Sequence, residues 1–139
     1  MRDVQNETDN RNMAIDRVGI RDISWPISVP DRTNGTQETV AQVSLSVSLP
    51  QDYRGTHMSR FVEVLGAQEK RVTFHNMEGL LVTLKERLKA RDAHAVFDFP
   101  YFITKAAPVS GAKGRLRCDV RFDAALRGDD FDLVTTVTS

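Results

Sequence analysis

Apolar and polar residues alternate in two stretches of the first third of the chain, and this period of two is typical of half-buried β-strands. The stretches are residues 22–29 and 42–49. Between them lies Asn34-Gly35, a dipeptide that favours a tight hairpin turn. Pro26 cannot donate a backbone hydrogen bond, so the first strand is predicted to lie at an edge of the sheet or to contain a bulge. The apolar positions of the two strands are Ile23, Trp25, Ile27, Val29, Val43, Leu45, Val47 and Leu49.

Two stretches in the middle of the chain carry apolar residues at helical spacing. The first helix is predicted to begin after a Thr56 cap and to end at Gly66, and the second to begin at an Asn76 cap. Basic residues near the end of the second helix are favoured there by the helix dipole. The predicted apolar faces comprise Met58, Phe61, Val62 and Leu65 in the first helix, and Met77, Leu80, Leu81, Leu84 and Leu88 in the second.

Strand patterns return in the last third of the chain, over residues 95–103, 116–122 and 131–137. Strands on both sides of a helix pair favour an antiparallel α+β sheet with the helices on one face over a wound parallel sheet. The polar, aperiodic residues 1–17 are predicted to form a flexible arm, and residues 18–139 a single module.

Length and composition restrict the possible functions. A chain of 139 residues is close to one domain, and 19 basic residues balance 19 acidic residues, which excludes a broadly basic nucleic-acid coat. No apolar run is long enough to span a membrane, and the start lacks the apolar core of a secretory signal. We therefore expect a soluble cytoplasmic domain with no nucleic-acid or membrane partner. The single cysteine, Cys118, is expected to be a buried structural thiol.

The first candidate for chemistry is the beginning of the first helix. His57 and Arg60 place cations near the positive end of the helix dipole, which is unfavourable unless an anion is bound there. The Thr56 hydroxyl, free backbone N–H groups and the Arg60 guanidinium can converge on phosphate oxygens. The alternative is that Arg60 pairs with Glu63 one turn later and that His57 is solvated.

The second candidate is the loop of residues 104–114, in which Lys105 and two glycines are able to approach an anionic ligand. The alternative is a plain turn, and its spacing is not that of a Walker loop. His57, His75 and His94 lack metal-ligand spacing, so no metal site is predicted from them. The arginines of residues 115–121 are interpreted as a solvated strand face.

Several motifs in order resemble the N-terminal half of type IB GTP cyclohydrolase I, a metal-dependent bacterial enzyme family. The resemblance extends from the arm to the last residue. The motifs are Asp3-Val4-Gln5, Ile15-Asp16-Arg17-Val18-Gly19-Ile20-Arg21-Asp22, Thr39-Val40-Ala41, Gly55-Thr56-His57-Met58-Ser59-Arg60-Phe61-Val62 and Lys105-Ala106-Ala107-Pro108-Val109-Ser110-Gly111.

The resemblance implies a tunnelling fold with the order ββααββ, two such modules per family member, and assembly as a homotetramer. It implies the conversion of GTP and water to 7,8-dihydroneopterin triphosphate and formate, the first step of folate biosynthesis. On the residues that match, Thr56, His57 and Arg60, with Lys105, are expected to contact the triphosphate of GTP.

The resemblance also implies a divalent metal, Zn²⁺ or Mn²⁺, held by a cysteine, a histidine and a glutamate of the second module. Cys118 does not match that cysteine, which belongs to a Cys-Pro-Cys motif. This chain is therefore expected to carry neither metal ligands nor catalytic residues, and to be inactive alone. The alternative is a non-catalytic tunnelling-fold module that assembles or binds a purine-like ligand.

Overall fold

The chain forms five β-strands and two α-helices, in a computed structural model that describes residues 15–50, 58–68, 71–106 and 109–139. The strands make one antiparallel sheet in the order β1-β2-β3-β4-β5. The elements are β1 (Ile15–Asp31), β2 (Gly35–Pro50), α1 (Met58–Ala67), α2 (Phe74–Arg87), β3 (Asp92–Ala106), β4 (Lys113–Arg127) and β5 (Asp130–Thr138).

The core lies between the two helices and one face of the sheet. The alternating apolar residues of β2 from Val43 to Leu49 are at most 1% exposed, as their period of two requires. They form one cluster with the inner faces of both helices and with the apolar positions of β3 and β4. The five apolar residues predicted to face inward from α2 are all buried, which confirms that helical pattern. Cys118 is buried on the core side of β4, also as predicted.

The predicted fold class, a tunnelling fold with the order ββααββ, is wrong. The observed order is ββααβββ, because a fifth strand pairs antiparallel with β4 along residues 119–127. Gly128 makes the tight turn between the two strands with a φ of 60°, a left-handed conformation that suits glycine. Phe131 and Leu133 of β5 then pack against the core, so that this strand extends the sheet.

The cap of α2 differs from the sequence prediction, whereas the Thr56 cap predicted for α1 lies outside the described residues. Thr73 caps α2, and its hydroxyl oxygen accepts a hydrogen bond from the backbone N–H of Asn76 at 3.3 Å. Asn76, the cap that the sequence predicts, lies inside the first turn. The sequence predicts that Val62 faces inward from α1, but Val62 is 42% exposed. The buried residues of this helix include Phe61 and Val64, because its inner face repeats after three residues.

The edges of the sheet agree in part with the prediction. Strand β1 is an edge strand, as the position of Pro26 predicts, and it pairs with β2 through the turn at Asn34-Gly35. Strand β1 begins at Ile15, within the predicted arm, and residues 1–14 lie outside the described ranges. Neither described helix is long and apolar enough to cross a membrane.

Candidate functional site

The structure describes two of the four residues predicted to contact a triphosphate. Thr56 and His57 lie outside the described residues. Arg60 is exposed on α1, and its Nη1 donates a hydrogen bond to the carbonyl oxygen of Arg87 at 3.1 Å, at the end of α2. Glu63 contacts the Arg87 guanidinium at 3.7 Å instead of pairing with Arg60. Arg60 thus satisfies a helix-terminal carbonyl, and its guanidinium group carries further N–H groups for which the described residues show no partner.

Lys105 lies far from Arg60. Residues 88–91 connect α2 to β3, and the backbone N–H of Arg91 donates to the carbonyl oxygen of Ser48 at 2.8 Å. Lys105 lies near the other end of β3. A strand advances about 3.3 Å per residue, so the span from Asp92 to Lys105 is roughly 40 Å. A single copy of the chain therefore does not bring Arg60 and Lys105 to one ligand.

A second set of polar residues gathers around a bulge in β1. Ile20 pairs with Leu45 and Ile23 with Val43, so Arg21 and Asp22 together oppose a single residue of β2. Asp22 has a φ of 54°, and its backbone N–H donates to the hydroxyl oxygen of Ser44 at 3.3 Å. Bulges of this kind bend a strand, redirect its side chains and are common beside active sites.

The bulge lines a groove of about 600 Å³ on the sheet face opposite the helices. Two small residues, Gly19 and Ser46, pair with each other at its floor, and Ser46 pairs in turn with His94 on the third strand. Longer polar side chains surround this floor. We call the feature the bulge groove. Besides Gly19 and the apolar residues Ile20, Leu45 and Val96, it is lined by the polar residues Arg17, Arg21, Asp22, Ser44, Ser46, His94, Asp98 and Arg121.

Two hydrogen-bonded pairs hold one wall of the bulge groove. Arg121 donates to both carboxylate oxygens of Asp98, at 2.7 and 3.1 Å, and these hydrogen bonds raise the pKa of Arg121. The Nε2 atom of His94 lies 2.7 Å from Oδ1 of Asp123. Bidentate guanidinium–carboxylate pairs are geometrically specific, so this wall is oriented by β3 and β4.

The opposite wall, on β1, carries charged groups that form no ion pair with any other described residue. Within the ranges that the structure describes, the guanidinium groups of Arg17 and Arg21 form no ion pair, and neither does the carboxylate of Asp22. Asp98 neutralises Arg121, so the lining charges that form no ion pair among the described residues, those of Arg17, Arg21 and Asp22, sum to one positive charge. The groove therefore presents serine hydroxyls to an anion, together with guanidinium groups that have no ion-pair partner in the described ranges.

The described residues do not fit a metal site. No three histidine, cysteine, aspartate or glutamate side chains in the described part of the chain are placed to hold a metal ion together. The thiol of Cys118 is buried on the core face, away from the bulge groove.

The sequence pattern does not identify the bulge groove. It indicates a solvated strand face for Arg121, whereas this residue forms one wall of the groove. Arg115 also has an aromatic neighbour, since its guanidinium lies 5.3 Å from the ring centre of Phe102. A usable signal exists on β3, where His94 and Asp98 occupy alternate positions opposite a buried apolar face. The register that joins them to β1 is not visible in the pattern.

Comparisons with known proteins agree on one family. A family model described as "Type I GTP cyclohydrolase folE2" matches residues 1–139. GTP cyclohydrolase FolE2 of Magnetococcus marinus is 45% identical over 135 residues, which cover 97% of this chain and 51% of that protein. The proteins of the same name from Fervidobacterium nodosum and Kosmotoga olearia are 45% and 48% identical, over 100% and 99% of this chain and 53% of each relative.

These findings correct and limit the sequence-based expectation. The motifs suggest type IB GTP cyclohydrolase I, and that assignment is wrong, since the family that matches is described as type I GTP cyclohydrolase folE2. The chain spans about half the length of the curated relatives it matches.

Proposed function

This chain belongs to the type I GTP cyclohydrolase folE2 family, and we propose that it forms about half of an enzyme that converts GTP and water to 7,8-dihydroneopterin triphosphate and formate. The observation that carries this proposal is the match along the whole chain, at 45–48% identity to relatives named GTP cyclohydrolase FolE2. The reaction is the entry to folate biosynthesis. A cytoplasmic location is part of the same proposal.

In this enzyme the chain's own contribution is to bind and orient the triphosphate. Thr56, His57 and Arg60 adjoin the beginning of α1, where unpaired backbone N–H groups and the helix dipole favour an anion. Arg60 is exposed and has N–H donors beyond the one that reaches Arg87. These contacts would hold the nucleotide by its charged end and leave the guanine free to be positioned elsewhere.

Lys105 has a different place in this proposal. Arg60 lies against the end of α2, and β3 runs roughly 40 Å from Asp92 to Lys105, so Lys105 would reach the same triphosphate from another copy of the chain. This geometry supports a homo-oligomer in which one copy supplies the α1 residues and another supplies the loop after β3. A homotetramer, as the sequence resemblance implies, satisfies this requirement.

The divalent metal implied by the sequence resemblance, Zn²⁺ or Mn²⁺, does not fit the described residues. We propose that its ligands belong to the part of the enzyme that this chain does not cover. The chain alone would then bind GTP without hydrolysing it.

A chimera tests this function directly. This chain would replace the corresponding half of the Kosmotoga olearia relative, which is 48% identical to it. Release of formate from GTP and growth of pterin fluorescence are the readouts, with the unmodified relative as the positive control. We expect turnover by the chimera and none by the 139-residue chain with added Zn²⁺ or Mn²⁺.

Two outcomes would contradict the proposal. A folded chimera that binds GTP without turnover, beside an active parent, would favour a binding module over an enzyme half. Turnover by the chain alone would mean that the reacting groups lie within these residues.

A further inference from the structure

We propose that the bulge groove is a binding site for a phosphate-bearing anion, on the face of the sheet opposite α1. The proposal concerns different residues from those at α1 and does not rest on the cyclohydrolase function. Three observations carry it: the shape of the floor, two guanidinium groups on β1 without an ion-pair partner among the described residues, and the orientation of the Ser44 hydroxyl by the bulge.

The floor of the groove depends on Gly19. A Cβ atom at this position would lie 2.2 Å from the carbonyl oxygen of Leu45 and 2.8 Å from the Cβ of Ser46. Glycine therefore allows β1 and β2 to approach closely at the point where the bulge begins. Gly19 and Ser46 together form a shallow floor between long side chains. The groove above this floor has a volume of about 600 Å³, which accommodates a small polyanion.

The donors around this floor suit phosphate oxygens. Arg17 and Arg21 lie on opposite sides of Gly19 along β1, and neither has an ion-pair partner among the described residues. The planar guanidinium group binds phosphate through two parallel hydrogen bonds. The hydroxyl oxygen of Ser44 accepts a hydrogen bond from the backbone N–H of Asp22, so its own hydrogen remains available to a ligand.

Two carboxylates in the lining oppose an anion, and they differ in effect. Asp98 is neutralised by the bidentate pair with Arg121. Asp22 is next to Arg21 and has no ion-pair partner among the described residues. The Asp22 carboxylate should therefore weaken anion binding. This predicts that Asp22→Asn raises the affinity for an anion, whereas removal of either arginine on β1 lowers it.

Titration calorimetry of the 139-residue chain with inorganic tripolyphosphate, GTP and guanosine tests the site. We expect tripolyphosphate and GTP to bind and guanosine not to bind. Arg17→Gln and Arg21→Gln should each weaken tripolyphosphate binding about tenfold, the loss of one charge-assisted contact. Arg115→Gln removes an equal charge outside the groove and should change the affinity less than about twofold.

A backbone measurement makes the test independent of the variants. Amide NMR shifts of the wild-type chain during the tripolyphosphate titration should be largest over residues 17–22 and at Ser44 and Ser46. Shifts confined to α1, or loss of binding in Arg60→Gln with Arg21→Gln unaffected, would assign the anion to the helix and overturn the proposal. Absence of tripolyphosphate binding by the folded chain would overturn it too.

Discussion

The side-chain amide of Gln37 forms two hydrogen bonds with the backbone of Phe102, as the backbone of a neighbouring strand would. Its Nε2 donates to the carbonyl oxygen of Phe102 at 3.0 Å, and its Oε1 accepts from the N–H of Phe102 at 2.8 Å. Gln37 is only 7% exposed, so both bonds are shielded from water. A side chain of β2 thus continues the hydrogen bonding that the backbone of β2 no longer provides at this point.

The reason for this arrangement is Pro100. The backbone pairing of β2 with β3 covers residues 42–48 and 92–98 and ends just before this proline, which has no N–H to donate. Beyond the paired residues, the hydroxyl of Thr39 donates to the carbonyl oxygen of Pro100 at 2.9 Å, and the side chain of Gln37 forms hydrogen bonds with the backbone of Phe102. Two side chains therefore satisfy backbone groups that the interrupted ladder leaves open.

Replacement of Gln37 by leucine should lower the free energy of unfolding by about 2–4 kcal/mol, since it leaves a partly buried N–H and carbonyl of Phe102 unpaired. Urea unfolding followed by circular dichroism measures the difference. Thr39→Val removes a single hydrogen bond and is the matched control, with an expected loss of about 1 kcal/mol. Equal losses in the two variants would contradict the double role of Gln37.

Val47→Asp should unfold the chain or destabilise it by more than about 4 kcal/mol, because Val47 is 1% exposed and the carboxylate would be buried without a partner. Val134 offers the control, since it lies on β5 and is 54% exposed. Val134→Asp should change the stability by about 0.5 kcal/mol or less. A wild-type melting temperature for Val47→Asp would refute the buried face of β2.

A pair of glycine variants should act in opposite directions. Gly19→Ala should destabilise the chain by about 1–3 kcal/mol, because its Cβ would meet the backbone of β2 at 2.2 Å. Gly79 lies within α2, and a Cβ atom added there would meet no atom of another element within 4 Å, so Gly79→Ala should stabilise by about 0.5–1 kcal/mol. Thermal unfolding of both variants tests this, and a neutral Gly19→Ala would contradict the close approach of β1 and β2.

Asp31 should make the hairpin between β1 and β2 sensitive to acid. The backbone N–H of Thr33, and then the amide of Gln37, donate to its carboxylate and lower its pKa below the usual 3.8. A lowered folded-state pKa gives stability that is present above pH 3.8 and is lost as the pH falls through the folded-state value. The melting temperature of Asp31→Asn should therefore fall less than that of the wild type below pH 3.8. Parallel curves for the two proteins would contradict the linkage.

The sequence predicts those features that depend on a short range of residues. The apolar alternation of β2 and the helical spacing of α2 are sufficient to predict these two elements and their buried faces, because each pattern shows which side of one element meets the core. The cap of α2 is harder to predict, because Thr73 and Asn76 are both residue types that cap helices, and only three residues separate them.

The bulge groove depends on pairing between distant residues. Gly19, Ser46 and His94 become neighbours only through the register of three strands, and the bulge at Arg21 shifts that register by one residue. A shift of one residue exchanges the two faces of a strand, so a pattern of single residues does not predict which side chains share a groove. The motif of residues 15–22 is visible in the sequence, but its position beside His94 is not.

Arg60→Ala in the chimera should weaken binding of GTP much more than binding of guanosine, because the contact proposed for Arg60 is to phosphate. A charge-assisted hydrogen bond contributes about 2 kcal/mol, or roughly a 30-fold change in the dissociation constant. Arg60 also donates to the carbonyl oxygen of Arg87 at 3.1 Å, so the substitution also removes a contact at the end of α2. Arg60→Lys separates the two effects, since lysine keeps the charge but cannot form the same forked contacts. Equal losses of GTP and guanosine affinity in Arg60→Ala would assign Arg60 to the structure of the helix pair and remove it from the phosphate site.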